Sequence, residues 1–583
     1  MILLKNFRHY YIKYGIAYVL GLSLLVLVDY FQLEIPRTLN AIITGVDKGE
    51  FVTTGDFMPL ITYIITLVLT IALGRFLWRF LLLGSSRKIE TDIRLHMLTH
   101  ATTLSQDFYG DENIGGLMSY FINDLNAIRE IYGFGLLMLV DGLTLGIMVL
   151  IRMFGLNYLM TLYAFIPILL MAILVFILNK KMEYKFKERQ ESFQSMSHFT
   201  QESLTGISVI KAYVREIKES FTFKKRADDV KDKTMAHVKY VVLVNIIVET
   251  MISLVVLSIL VYSSFLIAKS ELDAGDLTEY ITYFFTLLWP VTAIAMFLNL
   301  NGQAQASAKR IYKFLETKPT IKDHENVIKD PNLTGEITLN DLTFKYKDNK
   351  EPTLKDISLT IKSGEMVGIL GKTGSGKSTL VELLLHVYSV KPGMIFFDEY
   401  DIRNISIHGL RKHIGYVPQD NFLYSDTIKN NIGFGLEEID DNYLEEIAKL
   451  SDIHDNVIEF KEQYDTILGE RGTTVSGGQK QRISIARALA LDPTILILDD
   501  SVSAVDYDTE EKIINNLRNI RKNKTTIIIA HRISTVKKLD KIILLEDGKV
   551  IGFDSHDNLL KDNIEYQKMV KLQELKTLVG EEI

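Results

Sequence analysis

Residues 366–379 read MVGILGKTGSGKST, and their types and spacing can do chemistry. A short apolar run, Met366–Leu370, leads into Gly371-Lys372-Thr373-Gly374-Ser375-Gly376-Lys377-Ser378, which fits GxxxxGK[ST]. Glycines let the backbone curl so that several N–H groups converge, and the helix that follows adds its positive N-terminal end. A chain of phosphates suits such a cradle. Gly371, Thr373, Gly374, Ser375, Gly376, Lys377, Ser378 and Thr379 are therefore candidate binding residues for a chain of phosphates. Lys377 brings a positive charge to the β- and γ-phosphates, and the Ser378 hydroxyl can ligate Mg²⁺. At ordinary glycine content this pattern arises by chance in about one chain in fifty of this length. It needs company.

Company comes from four further stretches. Ile495–Asp499 is an apolar strand-type run ending in a carboxylate. That puts Asp499 at the C-terminal edge of a parallel sheet, where ligands bind and a magnesium shell can be held. Val475-Ser476-Gly477-Gly478-Gln479 opens a helical run, KQRISIARALAL. Its serine hydroxyl, glycine amides and helix N-terminus offer a second anion site. A phosphate loop and a second such site in one chain imply that two domains share each nucleotide. Gln419, in GYVPQD, can reach both a metal and an attacking water. His531, after the strand TTIIIA, is placed to hydrogen-bond a γ-phosphate. Either residue alone would read as ordinary surface; order and spacing argue otherwise.

The elements that must hold these residues fall into two halves. The 583 residues exceed one domain. Long Leu/Ile/Val/Phe/Met runs dominate before about residue 310, and a soluble α/β pattern follows about residue 335. We expect a membrane domain over 1–315, a linker over 316–334 and an α/β P-loop nucleotide-binding domain over 335–583. Spanning a bilayer by helix takes about 20 mostly apolar residues. Six segments qualify, near 14–35, 57–83, 133–154, 157–178, 240–267 and 277–300. The expected fold is a multi-domain membrane protein, an all-α six-helix membrane domain joined to the α/β motor.

An even number of spans puts both termini on one side. Cations from Lys180 and Lys181 to Lys231 and Lys233 crowd the connection between the fourth and fifth spans, whereas the opposite-side loops hold little beyond Arg37, Lys48 and Lys269. The basic side is the cytoplasmic one. Residues 84–132 and 179–239 carry helix-type spacing without proline, so they read as membrane helices running on into the cytoplasm. Turns are expected at Tyr109–Gly116 and Leu204–Val209, and a tight hairpin at Gly155-Leu156-Asn157. The N-terminus lacks a small-residue cleavage site, so the first helix is expected to stay in the protein. The net charge of -7 speaks against nucleic acid as a partner, and zero cysteines exclude disulfides and zinc knuckles.

Charges inside the spans need separate weighing. Arg75 and Arg79 lie one turn apart near the inner end of the second span, where snorkelling accounts for both. Asp141 and Glu249 sit at similar depth, about 12–14 Å from the cytoplasmic end. Two readings are open: a shared cavity for cationic amphiphiles, or plain hydrogen bonding to nearby Ser, Thr or Arg. The second is the simpler. Phe284, Phe285, Trp289 and Phe297 are candidate cavity residues or ordinary packing, and Pro290 is a candidate kink.

Together these motifs resemble an ABC exporter half-transporter of the bacterial multidrug and lipid exporter family, over nearly the whole chain. Gly371–Thr379 matches Walker A, Ile495–Asp499 Walker B, and Val475–Gln479 the ABC signature. Gln419 matches the Q-loop, His531 the switch histidine, and Ser503–Asp506 the D-loop. Tyr346, in FKYKD, matches the aromatic that stacks on adenine. Leu468-Gly469-Glu470-Arg471-Gly472 resembles the X-loop, and the coupling helices map near Tyr109–Gly116 and Leu204–Ala212. The resemblance implies a dimer in the cytoplasmic membrane. In it each ATP, with Mg²⁺ held by Ser378, Gln419 and Asp499, is clamped between one chain's Walker motifs and the other's signature. ATP closure drives the membrane halves outward-facing, and hydrolysis resets them.

One position departs from the family. Hydrolytic sites carry Glu after the Walker B aspartate, as general base; here it is Asp500. Its carboxylate is one methylene shorter, a misplacement of about 1 Å that can cost around 10²-fold in rate. Either Asp500 still works slowly, or this Walker site is degenerate and retains ATP. In the second case the partner is a different half-transporter carrying Glu, completed by this chain's signature. The expected activity is ATP-driven efflux of amphipathic small molecules, in contact with membrane lipids. A lipid flippase, a peptide exporter and an ATP-gated regulatory protein are the alternatives. The first span begins near residue 14, which disfavours a peptide-processing exporter, and the lack of an added regulatory segment beyond residue 575 favours a pump. Fusion of the two halves disfavours an importer.

Overall fold

The computed structural model describes residues 7–51, 53–111, 114–347, 349–501 and 506–579. The chain forms two compact units, one of Met1–Ala101 with Gly115–Glu316, the other of Thr102–Ile114 with Thr317–Ile583.

Among the described residues, six helices are long and apolar enough to cross a membrane: Gly15–Asp47, Gly55–Thr103, Gly115–Leu156, Tyr158–Thr205, Glu216–Ala268 and Ala274–Glu316. Each contains one expected span. A helix of 53 residues is about 80 Å long, far beyond the ~30 Å of a hydrocarbon core. The long connections are thus continuations of the spans. Asn157, with extended backbone, ends one helix and caps the next, its side chain accepting from the Met160 amide at 2.9 Å. That makes the expected hairpin. The turn expected at Leu204–Val209 comes later. Helix Tyr158–Thr205 stops at Gly206, but Ile207–Ala212 rewinds as a short helix, and Val214, at φ +53°, lies just before the helix that starts at Glu216. The apolar Ile207–Ile210 stretch favours a helical turn over an immediate reversal. The first turn carries a short helix, Gln106–Asp111. Residues 112 and 113, inside the expected Tyr109–Gly116 turn, lie outside the described residues.

The third helix contains two π-helical turns, Tyr120–Asp124 and Ile131–Gly135. The first ends on buried Asp124, which accepts from Ser307 Oγ at 2.8 Å and Arg310 Nε at 2.9 Å on the sixth helix. Farther along, Gly142 and Gly146 let the two helices approach closely. A Cβ at Gly142 would lie 3.2 Å from the Pro290 carbonyl, and one at Gly146 would lie 3.2 Å from the Pro290 ring. The sixth helix continues through Pro290, whose ring serves this packing. Tyr283 donates to the Leu33 carbonyl and Tyr280 to Thr161 Oγ1, both at 3.0 Å, so the buried phenols keep their hydrogen bonds.

Among the described residues of the second unit, ten strands form two sheets: β1 (Ile337–Phe344), β2 (Leu354–Ile361), β3 (Met366–Gly371), β4 (Ile395–Phe397), β5 (Tyr400–Asp401), β6 (Ile414–Val417), β7 (Ile495–Asp499), β8 (Thr525–Ile529), β9 (Lys541–Glu546) and β10 (Lys549–Asp554). The main sheet has the order β10-β9-β3-β8-β7-β6, parallel except for edge strand β10; the smaller, antiparallel sheet runs β2-β1-β4-β5. Strand β7 is buried throughout because both its faces are covered. Leu496 and Leu498 join one core with Ile528 and Leu544, and Ile495 and Ile497 the other with Val367 and Ile369. The alternation of the strand sends successive residues to opposite cores.

His386 lies two residues past the helix Lys377–Leu384 and is buried, its Nδ1 without a partner among the described residues. Burial, with Arg411 and Arg403 nearby, pushes its pKa down to about 4, against weaker opposition from Asp323 and Asp401. The folded value lies below the ordinary 6.5. Stability is therefore full above about pH 6.5 and falls as pH drops towards 4, by on the order of 3 kcal/mol in all. His386→Asn, which tolerates the local φ of +49° and does not titrate, should flatten that slope in unfolding experiments between pH 7 and 4.

Candidate functional site

The parallel register of the main sheet assembles the site. Gly371 ends β3, Asp499 ends β7 opposite Ile529 of β8, and His531 follows two residues later. Three loops thus leave one edge together. Gly374 and Gly376 take φ of +82° and +101°, conformations that L side chains avoid, and the loop curls into the helix that begins at Lys377. Lys377 is buried and its ammonium donates to the Gly371 and Lys372 carbonyls at 2.9 and 3.0 Å. Burial lowers its pKa, opposed by the charges of Asp500 and Asp499. Ser375 is buried with a hydroxyl that has no partner among the described residues. An orphaned hydroxyl and a positively charged, glycine-lined cradle fit a phosphate group.

A cavity of about 280 Å³ opens here, lined by Thr373, Gly374, Gly376, Lys377, Ser378, Thr379, Gln419, Asp499, Asp500 and His531. Asp499 is buried, and desolvation pushes its pKa up to about 6; the Ser378 hydroxyl bonds it and opposes the rise, while Asp500 adds to it. A buried carboxylate and a serine hydroxyl in contact are the donor set that suits a hard divalent cation such as Mg²⁺. Asp500 has φ +48°, and its amide donates to the Ile529 carbonyl at 3.1 Å. Its carboxylate lies 3.5 Å from Gln419 Nε2 and 3.9 Å from His531 Nε2. All three candidate catalytic side chains therefore converge on one point.

Other expected residues stand apart. Ser476–Gln479 do not line this cavity. They form the N-terminus of helix Gly477–Ala490, where the Gln479 amide donates to Ser476 Oγ and the Ser476 amide to Gln479 Oε1 at 2.9 Å. Gly477 is exposed, with nothing within 4 Å of where a Cβ would sit. Tyr346 lies just outside: its hydroxyl bonds Glu382 at 2.9 Å and Thr379 at 3.0 Å, and its ring is edge-on to Phe344 and Tyr388. Glu470–Gly472 form a tight turn with Arg471 at φ +53°. Of the D-loop, residues 503–505 lie outside the described residues; Asp506 caps the helix Tyr507–Ile520 through the Thr509 amide. Sequence reasoning missed Gln573, which donates to the His531 carbonyl and accepts from the Ile533 amide, both at 2.7 Å, fixing the loop that carries the histidine. A glutamine in a polar terminal helix carried no signal.

A second cavity, of about 670 Å³, lies inside the membrane unit and is lined by Asp29, Gln32, Arg75, Trp78, Arg79, Asp141 and Trp289, among others. Asp141 accepts from the Trp289 indole and is within hydrogen-bond reach of Asp29, which accepts from Thr144 Oγ1 at 2.7 Å. Glu249 is exposed on the fifth helix and does not line this cavity, so the two carboxylates paired by depth do not meet. Among the described residues Asp141 has no Ser, Thr or Arg partner; its own are an indole and a second aspartate. Phe284 and Phe297 are buried between helices and Phe285 is exposed; Trp289 alone of the four lines the cavity.

Comparisons with known proteins bear on the family and the fold. The ABC transporter family model matches residues 354–503, and that of the ABC transporter transmembrane region matches residues 18–291. The multidrug resistance-like ATP-binding protein MdlA of Escherichia coli is 33% identical over 97% of this chain and 95% of its own. The ATP-dependent lipid A-core flippase of Syntrophus aciditrophicus is 31% identical over 85% and 82%. The structure of a bacterial Atm1-family ABC exporter with ATP bound matches with a TM-score of 0.75 at 24% identity, covering 96% and 98% of the two chains. Six apolar helices and an α/β motor are the fold those comparisons describe. The chain therefore belongs to the multidrug-resistance-like ABC exporters, and its motor is an ATP hydrolase coupled to transport.

Proposed function

We propose that this chain is one half of a heterodimeric exporter that moves amphipathic small molecules out across the cytoplasmic membrane. Its membrane domain is 1–315, its linker 316–334 and its nucleotide-binding domain 335–583, with that domain and both termini cytoplasmic. The observation that carries the reading is Asp500, the shorter acid, set beside Gln419 and His531 at the end of β7. In this assignment Tyr346 stacks on adenine. The phosphate loop, Gly371–Thr379, binds the phosphates, and Ser378, Gln419 and Asp499 hold Mg²⁺. The ion supplies charge neutralisation for phosphoryl transfer when bound. Asp500 orients water from slightly too far away, and His531 reports the γ-phosphate. Ser476, Gly477, Gly478 and Gln479 face the nucleotide of a partner half-transporter that carries Glu in the corresponding place. Their separation from this chain's own cavity supports a role across a dimer.

The names of the relatives, multidrug resistance-like for one and lipid A-core flippase for the other, support amphipathic cargo and keep lipid as the second reading. The test is to co-express the tagged chain with a Glu-bearing half-transporter from the same genome, then measure ATPase activity and uptake into inside-out vesicles. A fully active homodimer of this chain would overturn the heterodimer. Uptake of labelled lipid without uptake of amphipathic dyes would favour the flippase.

A further inference from the structure

We propose that Gln573, on the C-terminal helix, is a positioning residue that aims His531 at the terminal phosphate of bound ATP. The inference rests on the assignment of His531 above and adds a residue, and an element, to that site. Strand β8 ends at Ile529 and a short helix, Ile533–Val536, follows; His531 stands between them, in neither. The N-cap residue of that helix, Arg532, makes no side-chain cap bond, which would leave the Ile533 amide an orphan donor. Gln573 Oε1 accepts from that amide at 2.7 Å, and Gln573 Nε2 donates to the His531 carbonyl, also at 2.7 Å. One planar amide group thus grips the backbone on both sides of Arg532. A carboxamide donates and accepts at two atoms at once, whereas an ionised carboxylate only accepts.

The grip sets the plane of the peptide that follows His531, and with it the direction in which the imidazole leaves the backbone. That side chain lines the nucleotide cavity and is 39% exposed, so its aim depends on the backbone that carries it. A second anchor acts elsewhere. Buried Glu510 accepts from Thr535 Oγ1 and lies 3.5 Å from Arg532 Nη1, holding side chains that follow the histidine and not the histidine's own peptide. The C-terminal helix, Ile564–Val579, is itself fixed. Tyr566 is fully buried in one core with Ile533 and Val536, and its hydroxyl shares a hydrogen bond with His556 Nδ1 at 2.8 Å. Gln573 lies about two turns farther along the same face. The helix that packs on Ile533 thereby also delivers the amide to the peptide beside it.

The full chain alone, in lipid nanodiscs with Mg²⁺, would be titrated with ATP and separately with ADP, and the ratio of the two affinities read. His531→Ala should cut the preference for ATP by about tenfold or more and leave ADP affinity as it was. Gln573→Ala should cut it by about threefold to tenfold. Gln573→Glu, of the same shape but without the donor, should do likewise. In the His531→Ala background, Gln573→Ala should change nothing further, because it acts through the histidine. Hydrogen exchange at the Ile533 amide should quicken by about tenfold or more in Gln573→Ala. Retained ADP affinity would show that the variants fold; should Gln573→Ala fail to fold, Gln573→Glu decides. Three results would overturn the positioning role alone: an ATP preference kept by the Gln573 variants but lost in His531→Ala, a Gln573 effect undiminished without the histidine, or unchanged exchange at Ile533. No effect of His531→Ala would remove the histidine from the γ-phosphate, and the proposal with it. Because the titrations need neither partner nor transport, either failure leaves the export reading standing.

Discussion

Asp500→Glu should raise ATP turnover at this chain's own Walker site by about tenfold to a hundredfold, measured with the partner's site inactivated. The lengthened side chain carries its carboxylate about 1 Å further towards the attacking water, and misplacement of that size costs around 10²-fold. The partners of a working base are already in place, Gln419 at 3.5 Å and His531 at 3.9 Å from the Asp500 carboxylate. The backbone sets a counter-effect. At φ +48° Asp500 occupies a region that Asp tolerates better than longer side chains do. Glutamate there should cost roughly 1 kcal/mol of stability. Rate and melting temperature should therefore move in opposite directions, a pairing that a general gain in stability would not produce. Unchanged turnover would place the defect elsewhere in the site.

Gly477→Asp has the opposite character: it should leave this chain intact and cripple its partner. The position is the first residue of helix Gly477–Ala490, and a Cβ there meets nothing within 4 Å. An acid in the first turn even suits the helix dipole. Melting temperature and ATP binding by this chain should stay as they are, or rise slightly. In the heterodimer, however, the new carboxylate would meet the partner's γ-phosphate, and activity at that site should fall by at least about a hundredfold. Measuring ATPase activity beside nucleotide labelling of each chain separates the two effects. Full activity in the complex would remove the signature from the catalytic cycle.

Much of this was legible before any coordinates. The phosphate loop and Asp499 were readable because their chemistry needs fixed residue types at fixed spacing, and a buried parallel strand declares itself by a run such as Ile495–Leu498. Span length was equally plain. What hydropathy does not carry is which way each helix is rotated. Asp141 and Glu249 matched in depth, yet one faces a cavity and the other faces outward. Asp29, inside the first expected span, lines the same cavity as Asp141, a pairing that no spacing in the sequence announces. The left-handed backbone at Asp500 and the clamp made by Gln573 depend on residues far apart in the chain, so no local pattern announced them.

The unbroken helices of the membrane unit also have a mechanical consequence. Tyr158–Thr205 and Glu216–Ala268 contain 48 and 53 residues without interruption. Each is a stiff rod of about 70–80 Å, and a tilt of about 5° at one end displaces the other by about 6 Å. Such a rod works as a lever whose gain is set by its length. An angular change too small to disturb side-chain packing near the pivot becomes, at the tip, a stroke longer than one helical turn.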